Sequence, residues 1–270
     1  MPIDIRALID DLAAESAVVD GLLIGLRDAD WELPTPSVGW NITDQVGHLA
    51  YFDQTAVTSL RDADRFRKEA ALLVADGDDF PDWVAAEFHS TKPEDMFRWF
   101  RAARAELIES YLAVDPHMRL PWYGPDMGVA SSITARLMET WAHGQDIADT
   151  LGQTREPTSR LRHVAHLGVA GLPYSFTANK MELPSEPIRV EITAPDGQIW
   201  GWGPEDASNR VTGSALDFCL AVTQRRHLDD LNLKISGTTA NQWMTIAQTY
   251  AGPAGTGRAR RDDTTIGAEQ

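Results

Sequence analysis

The chain has 270 residues, with 40 acidic against 24 basic side chains for a formal charge of −16, 43% hydrophobic residues and one cysteine. That length and apolar content suffice for one large folded domain or two ordinary ones and exclude wholesale disorder. The lone Cys219 excludes an intrachain disulfide and a thiolate zinc cluster, so any metal site must use histidine and carboxylate. The acidic balance disfavours a phosphate-binding surface, which depends on Lys and Arg. Neither a nucleic acid nor an anionic membrane is therefore expected as a partner. The first residues lack the basic-then-apolar order of a signal peptide, and no run of about 18 apolar residues occurs. A cytoplasmic location is the default expectation.

Between Asp4 and Arg27 the residues Leu8, Leu12, Val19, Leu22 and Leu26 recur at helical intervals, predicting a long amphipathic helix. Pro34, Pro36 and Gly39 stop it, and Asn41 or Thr43 then caps a second helix through His48, Phe52 and Val57. The pattern breaks at residues 76–79. It resumes from Asp95 to Tyr111, preceded by a short helix around Trp83. Residues 115–128 hold three prolines and two glycines and read as a loop, after which Val129 to about Leu151 is helical again. Four main helices fit a four-helix bundle, a fold whose sites are built from side chains on facing helices.

The texture changes after Gly152. A helix is expected from Leu161 to Leu172, and Pro187 to Thr193 alternates like a half-buried strand. Pro195-Asp196-Gly197 signals a turn into a second strand, Gln198 to Trp202. A short strand over Asn209–Thr212, a helix from Ser214 to Arg226, a strand over Asn232–Ser236 and a helix from Thr239 to Thr249 complete the pattern. The fold class is mostly α with an α+β second domain. The expected boundaries are 1–152 for the bundle and 153–252 for the second domain, with 253–270 a flexible tail.

Glu139 and His143 stand at i and i+4, so their side chains leave one helical face about 5–6 Å apart at Cβ, close enough to grip one ion. His48, in the middle of the second helix, could add a third ligand across the bundle. Two imidazoles and one carboxylate would leave coordination positions open, as catalytic metal sites do. Zinc is the first expectation, and nickel, manganese or iron fit the same donors. On spacing alone the alternative is a surface Glu/His hydrogen bond and a packed histidine. Asp146, one turn beyond His143, either orients that imidazole from behind or is a solvated residue near the helix end.

At these residues the chain resembles a known family. Trp31 with Pro34-Thr35-Pro36, then Gly39-Trp40-Asn41-Ile42-Thr43-Asp44-Gln45-Val46-Gly47-His48-Leu49 and Glu139-Thr140-Trp141-Ala142-His143-Gly144-Gln145-Asp146, look like the N-terminal domain of mycothiol-dependent maleylpyruvate isomerases. Those domains are DinB-like metal-binding four-helix bundles. The resemblance covers roughly residues 5–152 and implies that His48, Glu139 and His143 hold a divalent ion, usually zinc. Glu139, in place of a histidine, points to the mycothiol-linked branch. Val211 to Leu220 and Gln224 to His227 resemble the attached C-terminal domain, related in shape to sterol-carrier-like folds, and a metal-binding actinobacterial subgroup is similar as well.

The resemblance further implies a metal that activates the thiol of mycothiol, which adds to the substrate, permits rotation about the former double bond and leaves. An anionic substrate would need a cation. Arg225 or Arg226 is the candidate from the second domain, the alternative being interaction with a helix C-terminus. Trp40, Trp122 and Tyr123 are candidates for the mouth of a pocket between the domains, or else loop anchors in a core. Cys219, in an apolar helical stretch, reads as a buried small hydrophobe. The expected activity is a thiol-dependent isomerisation or transfer on a small electrophile, and a homodimer is compatible with it. The rivals are a metal-dependent hydrolase using bound water and a non-catalytic small-ligand-binding module.

Overall fold

Helix α1 (Ile5–Leu23) begins where the Asp4 carboxylate accepts the backbone N–H groups of Arg6 and Ala7, satisfying two donors that a helix start leaves unpaired. The computed structural model describes residues 4–75, 77, 80–250 and 252–261, in two units divided between Arg155 and Glu156. The apolar stripe of α1 is buried as expected, but the helix stops at Leu23, short of Arg27. Ile24 turns to extended backbone and Gly25 takes φ +81°. A 3-10 turn over Asp28–Glu32 then buries Trp31.

Asn41 is the residue that caps α2 (Ile42–Arg61): it accepts from Asp44 N while Asp44 Oδ2 accepts from Asn41 N. Thr43 instead donates to the carbonyl of Trp31. Next come α3 (Ala63–Ala75), α4 (Phe80–Phe88) and α5 (Pro93–Ala113). Helix α3 had no clear signature because only Phe66 and Ala70 are buried on it while Leu72 and Val74 face solvent, so no clean apolar stripe forms. Of the break at residues 76–79, only Gly77 lies among the described residues. The expected loop before α6 (Val129–Thr150) contains a minimal antiparallel pair, β1 (Arg119–Leu120) with β2 (Met127–Gly128).

Helix α2 packs on α5 and α6, and α1 packs on α6 and α5, which closes a four-helix bundle; α3 and α4 lie against α2. Val19, Ile42, Val46, Leu49, Met96 and Ile147 meet in its core. The interior is not wholly apolar. Arg104, on α5, is buried and grips the equally buried Asp53 of α2 through two hydrogen bonds of 2.6 and 3.1 Å, with Nη1 donating to Ser16 on α1. Arg155 bonds Glu15 of α1 and the Trp141 carbonyl of α6. Both pairs tie three segments at once.

In the second unit, the helix expected over Leu161–Leu172 is split. Helix α7 (Leu161–Ala170) ends at Gly171 and α8 (Leu172–Ala178) starts anew, with Pro173 in the first turn, where its missing N–H costs nothing. Strands β3 (Ile188–Thr193), β4 (Ile199–Trp202), β5 (Asn209–Ser214) and β6 (Lys234–Ser236) form one mixed sheet in the order β4-β3-β5-β6. Only the β3/β5 pair is parallel. The chain leaves β4 through Gly203 at φ +79°, where a Cβ would collide with the Ile188 carbonyl oxygen, so glycine is required. Helices α9 (Ala215–Val222) and α10 (Thr238–Ile246) cover β5 and bring Phe218 and Trp243 within 6.1 Å. Helix α9 ends at Val222 rather than Arg226, since Gln224 adopts φ 56° and breaks the turn. Cys219 is fully buried on α9, its thiol donating to Leu161 O, and burial pushes that thiol up. Among the described residues no helix is long and apolar enough to cross a membrane.

Replacing Asp53 by Ala strands the Arg104 charge in the bundle and should lower unfolding free energy by about 3–5 kcal/mol in urea titration. The double variant Asp53→Leu with Arg104→Met should recover most of that loss.

Candidate metal centre

Helix α6 presents Glu139 and His143 one turn apart, and α2 brings His48 to the same point. One donor atom from each of the three lies within 4.8 Å of the others. Both Nε2 atoms face a single carboxylate oxygen: Glu139 Oε2 is 3.1 Å from His143 and 3.5 Å from His48. The imidazole rings sit 4.4 Å apart. Close approach of the helices is permitted by Gly144, beside His143, where a Cβ would come within 2.8 Å of Val19 on α1.

His143 is oriented from behind. Its Nδ1–H donates to Gln45 Oε1 at 2.5 Å, and the Gln45 amide donates in turn to Thr35 Oγ1 at 2.8 Å, which fixes the amide's direction. Nε2 is thus the ring nitrogen turned toward Glu139, at hydrogen-bond distance from its Oε2, and the one a metal would take. Asp146, the residue expected to do this, instead accepts from Ser37 Oγ at 3.1 Å and is fully buried rather than solvated. It fastens the loop carrying Trp40 to α6. Trp40 stacks on His143 at 5.8 Å and lies 5.3 Å from His48, so its indole covers the cluster, and its Nε1 donates to Asp82 on α4. His48 has no comparable hydrogen bond: its Nδ1 is buried without a partner, and the ring is held by packing, Phe52 lying 4.5 Å away.

The electrostatics agree with this geometry. Burial, and next the neighbouring His143, lower His48 from its ordinary 6.5 to about 4, partly offset by Glu139. His48 is therefore neutral at physiological pH. Burial opposes the charge on Glu139, but hydrogen bonds from His143 and His48, with the nearby positive charge of Arg136, hold its carboxyl well below the usual range. Two imidazoles and one carboxylate could hold a divalent ion such as zinc, and these residues fit it.

Trp122 and Tyr123 belong to an aromatic wall inside the first unit. Trp122 stacks on Phe66 at 5.6 Å, Tyr123 meets Phe80 at 4.8 Å, and both flank Phe52 at 6.4 and 6.0 Å. Arg225 and Arg226 follow α9 in the second unit, where their Nη1 groups donate to the carbonyls of Thr223 and Arg225. Gln45 and Arg136 escaped the sequence reading. Each stands three residues before a cluster residue on the same helix, and that helical spacing was the available signal.

A helical bundle that gathers two histidines and a glutamate, followed by a small mixed-sheet unit, defines a two-part class of protein. The chain belongs to the family of the mycothiol maleylpyruvate isomerase N-terminal domain, whose model matches residues 12–148. Residues 184–233 match a second family model, described as wyosine base formation. An uncharacterised protein of Mycobacterium tuberculosis, found in two strains, is 46% identical over 248 residues, 92% of this chain and 96% of that protein. The crystal structure of a mycothiol-dependent maleylpyruvate isomerase aligns with a TM-score of 0.62 at 14% identity, covering 88% of this chain and 96% of that one. A mutant of that enzyme gives a TM-score of 0.61 at 13% identity with the same coverage. At such identities the likeness is one of fold.

Gln45→Leu should preserve the fold but weaken zinc binding about 10–100-fold in competition with a chelator, since His143 Nδ1 loses its acceptor. A second outcome concerns acid. Unfolded His48 takes up a proton near 6.5 and folded His48 only near about 4, so the metal-free protein should lose stability as pH falls through that window. The loss should approach about 3 kcal/mol, with Glu139 adding to it at lower pH. Thermal midpoints measured against pH should show a flatter profile for His48→Gln.

Proposed function

We propose that this chain is a thiol-dependent metalloenzyme acting on a small electrophile. In this reading His48, Glu139 and His143 hold a divalent ion, zinc first, and the thiol cosubstrate is mycothiol. The observation that carries the reading is the convergence of the two Nε2 atoms on one Glu139 oxygen, with the His143 ring oriented by Gln45. Membership in the mycothiol maleylpyruvate isomerase N-terminal domain family, and a fold shared with mycothiol-dependent maleylpyruvate isomerases, support the choice of thiol and an isomerisation or transfer as the reaction.

When bound, the ion supplies Lewis acidity that favours ionisation of a ligated thiol or water. The chain's own residues do the rest. Gln45 and the packing of Phe52 keep the two imidazoles in place, and Trp40 shields them from bulk water, which strengthens every charge interaction in the site. The protein's own sulfur is unsuited to nucleophilic work, because Cys219 is buried and its thiol is raised. A sulfur nucleophile therefore has to come from a cosubstrate. Hydrolysis is the second reading, favoured by the same donor set, whose open positions also accept water.

Elemental analysis of purified protein should find about one divalent ion per chain, lost in His48→Ala and His143→Ala. Calorimetry of the zinc-loaded wild type should show saturable mycothiol binding that both variants lack. A wild type without metal would overturn the site, and a metal-loaded protein without saturable thiol binding would leave hydrolysis.

A further inference from the structure

Arg136 stands one helical turn before Glu139 on α6 and is 5% exposed. Its Nη1 is fully enclosed without a hydrogen-bond partner, and among the described residues its guanidinium makes neither a hydrogen bond nor an ion pair. Arg104 and Arg155, by contrast, are ion-paired, with Asp53 and Glu15 respectively. What surrounds the Arg136 guanidinium is aromatic. Its Cζ lies 5.8 Å from the ring of Phe52 and 5.7 Å from that of Trp122, and Phe52 is the residue that packs on His48. Contacts at that range offset only part of the cost of burying an ion.

The carboxylates within the bundle are also taken. Asp53 is engaged by Arg104, and Glu139 faces the two imidazoles. The positive charge of Arg136 nevertheless reaches both His48 and Glu139, which puts it beside the cluster. Charge accounting sharpens the point. A divalent ion on two neutral imidazoles and one carboxylate leaves one positive charge, and Arg136 adds a second. A thiolate cancels only one of them. Arg225 and Arg226, the cations expected from the sequence, both bond backbone carbonyls.

We propose that Arg136 is the anion-binding group of this site, taking a carboxylate of the electrophilic substrate in its unpaired guanidinium, with Phe52 and Trp122 flanking it. The proposal rests on the metal and thiol reading above and adds the residue of this chain that takes the substrate's negative charge. A planar guanidinium suits a carboxylate because it can bind both oxygens with parallel N–H donors.

The test compares wild type, Arg136→Met and Arg136→Lys, each zinc-loaded, by calorimetry with maleate and with uncharged maleamide as control. Arg136→Met should keep its zinc by elemental analysis and its mycothiol binding, unfold at the same or a higher temperature, and bind maleate at least tenfold more weakly. Arg136→Lys should fall between, having charge without the paired donors. Equal maleate affinity in wild type and Arg136→Met would overturn the proposal, as would a wild type that does not prefer maleate to maleamide. Should Arg136→Met fail to fold, an Arg136→Lys affinity equal to wild type is the overturning result. Absence of zinc or of thiol binding in the wild type counts against the proposed function instead, and the maleate comparison still decides Arg136.

Discussion

Ionic groups inside a helical bundle have to be matched, because each unmatched charge costs several kcal/mol and a fold holds only a modest excess of stability. In the first unit this requirement organises the helices. The Arg104, Asp53 and Ser16 contacts lock α5 to α2 and α1, and the Arg155, Glu15 and Trp141 contacts lock the end of α6 to α1. With those helices set, α2 and α6 face each other in one register, and His48 meets Glu139 and His143.

The same requirement explains why the cluster reads as a site rather than as packing. The structural arginines of this bundle, Arg104 and Arg155, are ion-paired, whereas His48 Nδ1 and Arg136 Nη1 are enclosed without a hydrogen-bond partner on side chains that make no such structural pair. Such departures from polar satisfaction concentrate where a molecule is built to receive something else. Both unmatched groups lie on the two helices that build the cluster, and both pack on Phe52, which links them. The loop over the cluster follows the same logic, since Ser37 anchors to Asp146 and Trp40 to Asp82, so the indole is held in place by hydrogen bonds at two points along the chain.

Much of this was legible as periodicity. The stripe Leu8, Leu12, Val19, Leu22 foretold α1, Asn41 or Thr43 foretold a cap, and alternation from Ile188 to Thr193 foretold a strand. Helix α3 was not legible, because a helix that buries only Phe66 and Ala70 leaves no periodic signal. The site divided in the same way. Glu139 and His143 share a helix, so their proximity follows from a fixed rise per residue. The choice of Gln45 over Asp146 behind His143 does not, since both stand one turn from a cluster residue and only the rotation of α2 against α6 selects between them.

What the order of residues settled is local: helix and strand identity, the shared face of Glu139 and His143, the exclusion of disulfides and of a thiolate metal cluster, and, through quoted motifs, the family. What tertiary structure alone decided is which groups separated by about ninety residues of chain came to touch, as His48 and Gln45 did on α2 with Glu139 and His143 on α6. It also decided which charges found no partner, as at Arg136. The reason is physical. Hydrogen-bond spacing along one helix is dictated by backbone geometry, whereas satisfaction of a buried charge depends on every helix packed around it.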